Sequence, residues 1–322
     1  MTLQAAPLFD DVADGPTGGA AYWVTTSDDV RIRLAHWTPP SAKGTVLLFP
    51  GRTEYIEKYG RAAGDLYQRG FGTISVDWRG QGLADRLLDD PRVGHIGRFT
   101  DYQKDVAAML RAAGELDLPR PYYLLAHSMG GCIGLRALIE GLPVQAAVFS
   151  GPMWGIRISA LARPMAWALA WGSSWAGQGH RLPPGTSLDA YVRAAPFETN
   201  MLTTDADMYS YMVHQLDLHP DLSLGGPSLH WLREALHETR HLAALAAPTL
   251  PCLTYLGSNE RIVDVDRIEQ RMNTWPGGQL EIIEQAKHEV LMEGPAVTAG
   301  IFETTAAFFA EHREINVESC NA

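Results

Sequence analysis

The sequence predicts an α/β fold, in which a mostly parallel sheet is flanked by helices and interrupted by one helical insertion. Short apolar runs, typical of strands buried on both faces, alternate with helix-compatible runs up to about residue 152 and again from about residue 248. Between them the chain is rich in Trp, Met, His and Pro and shows no such alternation. With 322 residues, 46% of them apolar, the chain is long enough to bury a large core.

These observations divide the chain into three regions. Residues 1–20 are acidic and rich in small residues, and we expect them to form a poorly ordered arm. Residues 21–152 and 248–322 together predict the α/β core. Residues 153–247, here called the insertion, are expected to form a helical lid over the carboxyl-terminal edge of the sheet.

The strands are predicted from apolar or β-prone runs bounded by turn residues. The first two runs flank Ser27-Asp28-Asp29 and predict a hairpin. The run TVLLF at 45–49 is continuously apolar, as expected for a strand buried on both faces. Strands are predicted at 21–26, 30–37, 45–49, 72–76, 122–126, 145–150, 249–256 and 280–283.

The helices are predicted from apolar residues at helical spacing and from end signals. Gly70 ends one such run, and Thr100 precedes another at the position of an N-cap. In the insertion, four apolar residues between 156 and 171 recur at helical spacing. Helices are predicted at 59–69, 100–115, 132–140, 156–171, 205–216, 228–236, 264–272 and 295–311.

Ser128 lies at the junction between a predicted strand and a predicted helix, in the segment YYLLAHSMGGCIG. A serine at such a sharp turn has its hydroxyl exposed, next to backbone N–H groups at a helix N-terminus. The turn needs small residues two positions before and after the serine, and Ala126 and Gly130 occupy them. The sequence therefore predicts Ser128 as a catalytic nucleophile.

A serine nucleophile needs a histidine base, which a carboxylate holds in one tautomer. In the chain order Ser…acid…His, the acid follows the first strand after the insertion and the histidine follows the next strand. Glu260 and His288 occupy these places, and His288 is singled out by position among eleven histidines. Asp264 follows the same strand as Glu260 and is an alternative acid, although it also fits the N-cap of the next helix. His127 is expected to point away from Ser128.

The loop that follows the strand at 45–49 is expected to stabilise an oxyanion. Gly51 lets the backbone approach a substrate closely, so the backbone N–H of Arg52, together with that of Met129, is predicted to form the oxyanion hole. Glu54 is expected to order this loop. In the next loop, DWRGQG, a structural contact between Asp77 and Arg79 is expected, and the glycine spacing does not fit a phosphate-binding loop.

Composition argues against several classes of function. The formal net charge is −11 and no basic block occurs, so neither nucleic-acid binding nor electrostatic docking on anionic lipid is expected. The three cysteines have no metal-ligand spacing, which favours reduced thiols, a cytoplasmic protein and no metal. The first residues have no basic region and no long apolar region, so no signal peptide is expected. Residues 156–175 are too interrupted for a transmembrane span.

Several motifs together resemble the monoglyceride lipase and lysophospholipase branch of the α/β-hydrolases, among the serine aminopeptidase-type hydrolases. These motifs are AHSMGG, FPGRTEYIEKYG, DWRGQG, GSNERIVD and AKHEVLME. The resemblance implies the α/β-hydrolase fold and a serine hydrolase that acts without a cofactor on small-molecule esters of single acyl chains. The family pattern usually has Gly at the position of Ala126, Asp at that of Glu260 and, in many members, His at that of Pro50.

Other functions fit parts of this pattern. An aminopeptidase of the same fold needs an acidic pocket for the free amine of its substrate, and Asp205, Asp207 and Glu234 are candidates for it. A small-ester carboxylesterase would differ mainly in the insertion. Haloalkane dehalogenases and epoxide hydrolases need a carboxylate nucleophile, which Ser128 excludes. A non-enzymatic, receptor-like use of the fold is disfavoured by the intact Ser, acid and His set. The apolar insertion is also expected to line an acyl-chain tunnel or to touch a membrane surface transiently.

Overall fold

The computed structural model describes residues 3–159 and 163–313. Its strands are β1 Gln4–Ala6, β2 Ala20–Thr25, β3 Arg31–Trp37, β4 Thr45–Phe49, β5 Gly72–Asp77, β6 Tyr122–His127, β7 Ala147–Ser150, β8 Cys252–Gly257 and β9 Gln279–Ile283. They form one nine-stranded sheet in the order β1-β2-β3-β5-β4-β6-β7-β8-β9. The six strands from β4 to β9 pair in parallel, whereas β1, β2 and β3 pair antiparallel at one edge. The predicted hairpin is therefore confirmed as β2 and β3.

Helices follow most of the parallel strands and cover both faces of the sheet. The α-helices are α1 Asp10–Ala13, α2 Gly60–Gln68, α3 Tyr102–Glu115, α4 Met129–Ile139, α5 Arg163–Trp175, α6 Tyr191–Ala194, α7 Ala206–Leu218, α8 Leu229–Ala243, α9 Val265–Asn273 and α10 Pro295–Glu311. Short 3-10 helices occur at Ile56–Tyr59, Phe99–Asp101, Phe197–Thr199, Pro220–Leu222 and Val290–Met292.

The core lies on both faces of the sheet, because side chains of each strand alternate between the two faces. In β4, Leu47 and Phe49 belong to one hydrophobic cluster, with residues of α3, α4 and α9. Val46 and Leu48 belong to a second cluster, with residues of α2 and α10. This arrangement explains why β4 is apolar at every position, and it brings the carboxyl ends of β4, β6, β7 and β8 to one edge of the sheet.

The N-terminal segment differs from the poorly ordered arm that we expected at residues 1–20. Gln4–Ala6 pairs antiparallel with β2, and Val12 and Ala13 of α1 are buried. Residues of the insertion bind this helix, since Tyr211 Oη donates to the Ala13 carbonyl at 2.7 Å and Gln215 Nε2 donates to the Val12 carbonyl at 2.8 Å. These partners lie about two hundred positions away, so the local composition carries no sign of the packing.

The insertion lies between β7 and β8, and its described residues form α5, α6, α7 and α8. Its first helix begins at Arg163, later than the predicted residue 156, and Ile156 instead forms an isolated antiparallel bridge with Val263. Pro164 is the second residue of α5, where its missing N–H costs no helical hydrogen bond. Among the residues that the structure describes, every helix is too short or too polar to cross a membrane.

The prediction of a contact between Asp77 and Arg79 is wrong. Asp77 accepts from Arg33 Nε at 2.8 Å, and Arg79 Nε donates to Asp105 at 2.9 Å. Because β5 ends at Asp77 and the chain turns directly after it, the two side chains do not share a face.

Two of the three cysteines lie in the described part of the chain. Cys132 and Cys252 are buried free thiols, whereas Cys320 lies outside the described residues. The cytoplasmic location stays a prediction.

Candidate active site

Ser128 lies in a strained turn between β6, which ends at His127, and α4, which begins at Met129. Its backbone has φ 49° and ψ −117°, a conformation that non-glycine residues rarely adopt. Gly130 is required here, because a Cβ at this position would lie 2.1 Å from the Phe49 carbonyl oxygen. Gly134 faces the methyl group of Ala126, since a Cβ at Gly134 would lie 3.4 Å from that methyl carbon and 3.0 Å from Leu124 Cδ2.

A chain of two hydrogen bonds joins Ser128, His288 and Glu260. His288 Nε2 lies 2.9 Å from Ser128 Oγ, and His288 Nδ1 lies 2.5 Å from Glu260 Oε2. A carboxylate accepts hydrogen bonds, so the ring proton belongs on Nδ1, which leaves Nε2 as an acceptor for the serine hydroxyl. The structure thus brings the three predicted residues together in the geometry that a serine nucleophile and its base require.

Glu260 is held by the loop that follows β8. Its Oε1 accepts from the backbone N–H groups of Ile262 at 2.5 Å and Val263 at 3.2 Å, and the residue is buried. Burial would raise the pKa of Glu260, but His288 and the two backbone donors outweigh this effect and lower the pKa below its ordinary value. Asp264 precedes the first residue of α9. Glu260, the longer of the two candidate acids, is the one that accepts the hydrogen bond from His288.

The backbone N–H groups of Arg52 and Met129 are the predicted donors of the oxyanion hole. Arg52 follows β4, which pairs with β6, and Met129 is the first residue of α4, where an N–H has no partner within the helix. Neither N–H donates a hydrogen bond to any part of the chain that the structure describes. The preceding N–H, that of Gly51, donates to the carboxylate of Glu54, so Glu54 orders this loop as expected.

A buried group of charged residues lies behind this site, and sequence analysis missed it. Lys58 Nζ donates to both Glu54 and Glu289, the latter at 2.7 Å. His127 Nδ1 donates to the Ser150 carbonyl at 3.0 Å, while its Nε2 lies 3.2 Å from Glu289 Oε2. We call Glu54, Lys58, His127 and Glu289 the buried charge cluster. The sequence does hold two signals of this cluster, because His127 directly precedes Ser128 and Glu289 directly follows His288.

The buried charge cluster is balanced by its own members. Burial would lower the pKa of His127, but Glu289 and Glu54 raise it above its ordinary value. Burial would raise the pKa of Glu289, but His127 and Lys58 hold it well below its ordinary range. Donor atoms of Glu54, His127 and Glu289 lie within 4.8 Å of one another, a spacing that could hold a metal ion. In this structure the ammonium group of Lys58 bonds to both carboxylates.

Gly151 leaves room for the pair formed by His288 and Glu260. It follows β7 with φ 47°, and a Cβ on it would lie 3.2 Å from His288 Nδ1 and 3.4 Å from Glu260 Oε2. The distance to His288 Nδ1, like that of 3.2 Å to the His288 carbonyl oxygen, is tighter than an ordinary van der Waals contact, whereas 3.4 Å to Glu260 is at its lower limit. Gly151 is a further residue of the site that sequence analysis did not identify, although the Gly-Pro pair after the end of a predicted strand is visible in the sequence.

A cavity of about 350 Å³ opens at Ser128 and His288. Its walls come mainly from the insertion and from the loops after β4, β7 and β8, and most of its lining side chains are apolar. The apolar lining residues are Met153, Ile156, Ala190, Val192, Met201, Leu202, Met212, Leu216, Pro227, Trp231, Leu232, Ile262 and Val263. A ligand with a long apolar part is suited to such a lining.

Known proteins are similar to this chain in sequence and in fold. A family model described as serine aminopeptidase, S33, matches residues 40–295. The chain belongs to this family. Lysophospholipase L2 of Escherichia coli (strain K12) is 33% identical to it over 302 residues, which cover 89% of this chain and 86% of that protein. A probable lysophospholipase L2 of Haemophilus influenzae is 28% identical over 295 residues, 90% of each chain.

Solved structures of this fold include a soluble variant of monoglyceride lipase from Saccharomyces cerevisiae. It matches with a TM-score of 0.70 at 17% identity and covers 91% of this chain and 95% of its own. Paleococcus ferrophilus monoacylglycerol lipase matches with a TM-score of 0.66 at 19% identity, and the match covers 87% of this chain and 98% of that protein's chain. The α/β-hydrolase fold and the resemblance to the lysophospholipase and monoglyceride lipase branch are confirmed. This member of the family is a carboxylic ester hydrolase.

Proposed function

We propose that this family member hydrolyses esters of single acyl chains, lysophospholipids or monoacylglycerols, through Ser128, His288 and Glu260. The observation that carries the proposal is the pair of hydrogen bonds from Ser128 to His288 and from His288 to Glu260 at the mouth of an apolar cavity. The named lysophospholipase relatives, at up to 33% identity, support the same substrate class.

The reaction begins when His288 Nε2 takes the proton of the Ser128 hydroxyl and Ser128 Oγ attacks the ester carbonyl. The negative charge that develops on the carbonyl oxygen is bound by the N–H groups of Arg52 and Met129. His288 then gives its proton to the departing alcohol oxygen, and an acyl-enzyme remains on Ser128. A water molecule, deprotonated by His288, attacks this ester and releases the fatty acid, after which the proton returns to Ser128.

Glu260 orients His288 throughout this cycle. Its carboxylate fixes the Nδ1–H tautomer of His288 and stabilises the imidazolium that forms when His288 holds the proton. The lowered pKa of Glu260 keeps the carboxylate ionised through the cycle. No step needs a cofactor, since the serine, the histidine and water supply the nucleophiles and move the protons.

The insertion, 153–247, acts in this proposal as the lid over a core formed by 21–152 and 248–322. Residues from α6, α7 and α8 supply much of the cavity lining, so the insertion decides which acyl group fits. The same region presents apolar side chains to solvent on α5. Trp175 is 94% exposed and Met165 is 69% exposed. We propose that this face of α5 touches the membrane surface when substrate is taken up.

An aminopeptidase activity is less well supported, although the family description includes it. A free amine needs an unpaired carboxylate in the cavity, but Glu54 and Glu289, which line it, are both bonded to Lys58. The three carboxylates that the sequence offered have other contacts. Asp205 caps α7, Asp207 lines a separate cavity and Glu234 accepts from Phe99 N and Arg233.

The test is fatty-acid release from lysophosphatidylcholine and from a monoacylglycerol of the same chain length, with Ser128→Ala as the blank. We expect the wild type to cleave at least one of them and Ser128→Ala to lose about 10⁴-fold or more in turnover. Ser173→Ala, in α5 and outside the cavity lining, is the matched control and should retain activity. If the wild type cleaved only short nitrophenyl esters, the proposed substrate class would be wrong and the protein would be a small-ester carboxylesterase.

A further inference from the structure

Arg52 brings a positive charge into the cavity that contains Ser128. Arg52 and Trp231 both line the cavity. Arg52 Nη1 donates to the Gly225 carbonyl oxygen at 3.0 Å, and the guanidinium carbon lies 5.6 Å from the centroid of the Trp231 ring. Within residues 3–159 and 163–313, no carboxylate lies within ion-pair distance of this guanidinium. An arginine has five N–H donors, and Gly225 uses one of them.

The carboxylates in the cavity wall do not compensate this charge. Glu54 and Glu289 are both paired with Lys58, and Glu289 also faces His127. Burial lowers the pKa of Arg52 to about 10, which still leaves the guanidinium charged at neutral pH. A largely desolvated cation without an anionic partner is costly, so an anion that arrives with the ligand gains a favourable interaction there.

The position of Arg52 relative to the proposed chemistry suggests which anion it meets. The backbone N–H of Arg52 is the proposed oxyanion donor. The guanidinium is therefore separated from the ester carbonyl of a bound substrate by about the length of the arginine side chain. In a lysophospholipid, the phosphate is one glycerol away from the same carbonyl. In a monoacylglycerol, an uncharged hydroxyl occupies that position. Guanidinium groups bind phosphate oxygens with two parallel hydrogen bonds, which gives both strength and orientation.

We propose that the Arg52 guanidinium binds the phosphate of a lysophospholipid head group and thereby favours this substrate over a neutral monoacylglycerol. The inference rests on the proposed ester hydrolysis at Ser128 and names the substrate class of that site. Trp231 and Gly225 hold the guanidinium in place from the side of the insertion, and its remaining donors bind the phosphate. The apolar part of the cavity accepts the acyl chain.

The experiment measures kcat/KM for lysophosphatidylcholine, lysophosphatidylglycerol and a monoacylglycerol with the same acyl chain. Each lipid is kept below the concentration at which it forms micelles. The readout is the ratio of each lysophospholipid to the monoacylglycerol in wild type, Arg52→Gln and Arg52→Lys. We expect Arg52→Gln to lower both ratios at least about tenfold, mainly through KM, since a charged hydrogen-bonded contact is lost. Arg52→Lys keeps the positive charge but lacks the planar guanidinium that binds two phosphate oxygens at once. Its ratios should therefore lie between those of Arg52→Gln and wild type.

Arg86→Gln is the matched control. Arg86 is also half-buried and bonded to backbone carbonyls, those of Asp221 and Ser223, but it lines a different cavity. We expect this variant to keep the wild-type ratios. Equal ratios in Arg52→Gln and wild type would overturn the proposal, because loss of the Gly225 contact alone lowers all three activities together. Weaker inhibition by free fatty acid in Arg52→Gln, with unchanged ratios, would instead assign the guanidinium to the product carboxylate.

The two proposals fail in different ways. If wild type cleaves none of the three lipids, the proposed function fails before Arg52 is tested. If wild type cleaves them and the ratios do not respond to Arg52→Gln, the function stands and the phosphate site is wrong. Labelling of Ser128 by a serine-reactive phosphonate in every variant shows that the nucleophile is intact, so a changed ratio reports on the head group.

Discussion

The ring centroids of His127 and His288 lie 4.8 Å apart, yet the two imidazoles have different partners. His288 bonds to Ser128 and Glu260, whereas His127 bonds to Ser150 and faces Glu289. The first arrangement is suited to moving a proton, and the second is suited to holding one. Adjacent histidines therefore have separate tasks, since each ring has its own set of hydrogen-bond partners.

The first prediction concerns the pH dependence of stability. The pKa of His127 is raised above its ordinary 6.5, so its contribution to stability is complete below about pH 6.5 and is lost as pH rises through the folded-state pKa. Between about pH 6 and about pH 9, we expect the Tm of wild type to fall more than that of His127→Gln. His214→Gln, which removes an exposed histidine, should keep the wild-type slope. Parallel curves for wild type and His127→Gln would contradict the assignment.

The second prediction separates the two candidate acids. Glu260→Gln removes the carboxylate that fixes the tautomer of His288, so we expect kcat to fall about 10³- to 10⁴-fold. Asp264→Asn should change kcat by less than about threefold, because the side chain bonded to His288 is that of Glu260. Ester hydrolysis by both variants, measured beside wild type, checks this. A larger loss in Asp264→Asn than in Glu260→Gln would reverse the assignment.

The third prediction concerns the space beside the triad. A methyl group at Gly151 would press on Nδ1 and on the carbonyl oxygen of His288, so Gly151→Ala should displace the imidazole and lower kcat about 10²-fold. Gly141 also has a positive φ, 92°, but a Cβ there meets nothing within 4 Å. Gly141→Ala should therefore lose a similar amount of backbone stability without losing kcat. Equal kcat values for the two variants would show that Gly151 has no positional role.

The fourth prediction tests the proposed membrane contact. The double variant Trp171→Ser with Trp175→Ser removes two exposed aromatic side chains from α5, and we expect its binding to phosphatidylcholine vesicles to weaken about tenfold or more. Ile282→Ser removes another exposed apolar side chain, on β9, and should leave binding unchanged. Co-sedimentation with vesicles measures both effects. Equal binding by the double variant and wild type would exclude this face of α5 as the contact.

Much of the fold was predictable because its signals are local. Strand runs such as TVLLF and the helix-compatible run after Ser128 depend on residues only a few positions apart. The order of Ser128, Glu260 and His288 along the chain, each after a strand, was equally visible, and the structure joins the three by hydrogen bonds. The choice of Glu260 over Asp264 needed the loop geometry, since both residues follow the same strand.

By itself, the sequence determined the alternation of strands and helices, the insertion and the strained turn at Ser128, because period, turn residues and spacing are read from neighbouring positions. Only the tertiary structure decided which charges meet. Lys58 and Glu289 are 231 positions apart, and Arg52 meets Gly225 across 173 positions. Such pairs form when separate loops converge at one edge of the sheet, and burial then makes each contact strong enough to shift pKa values or to leave a charge available for a ligand.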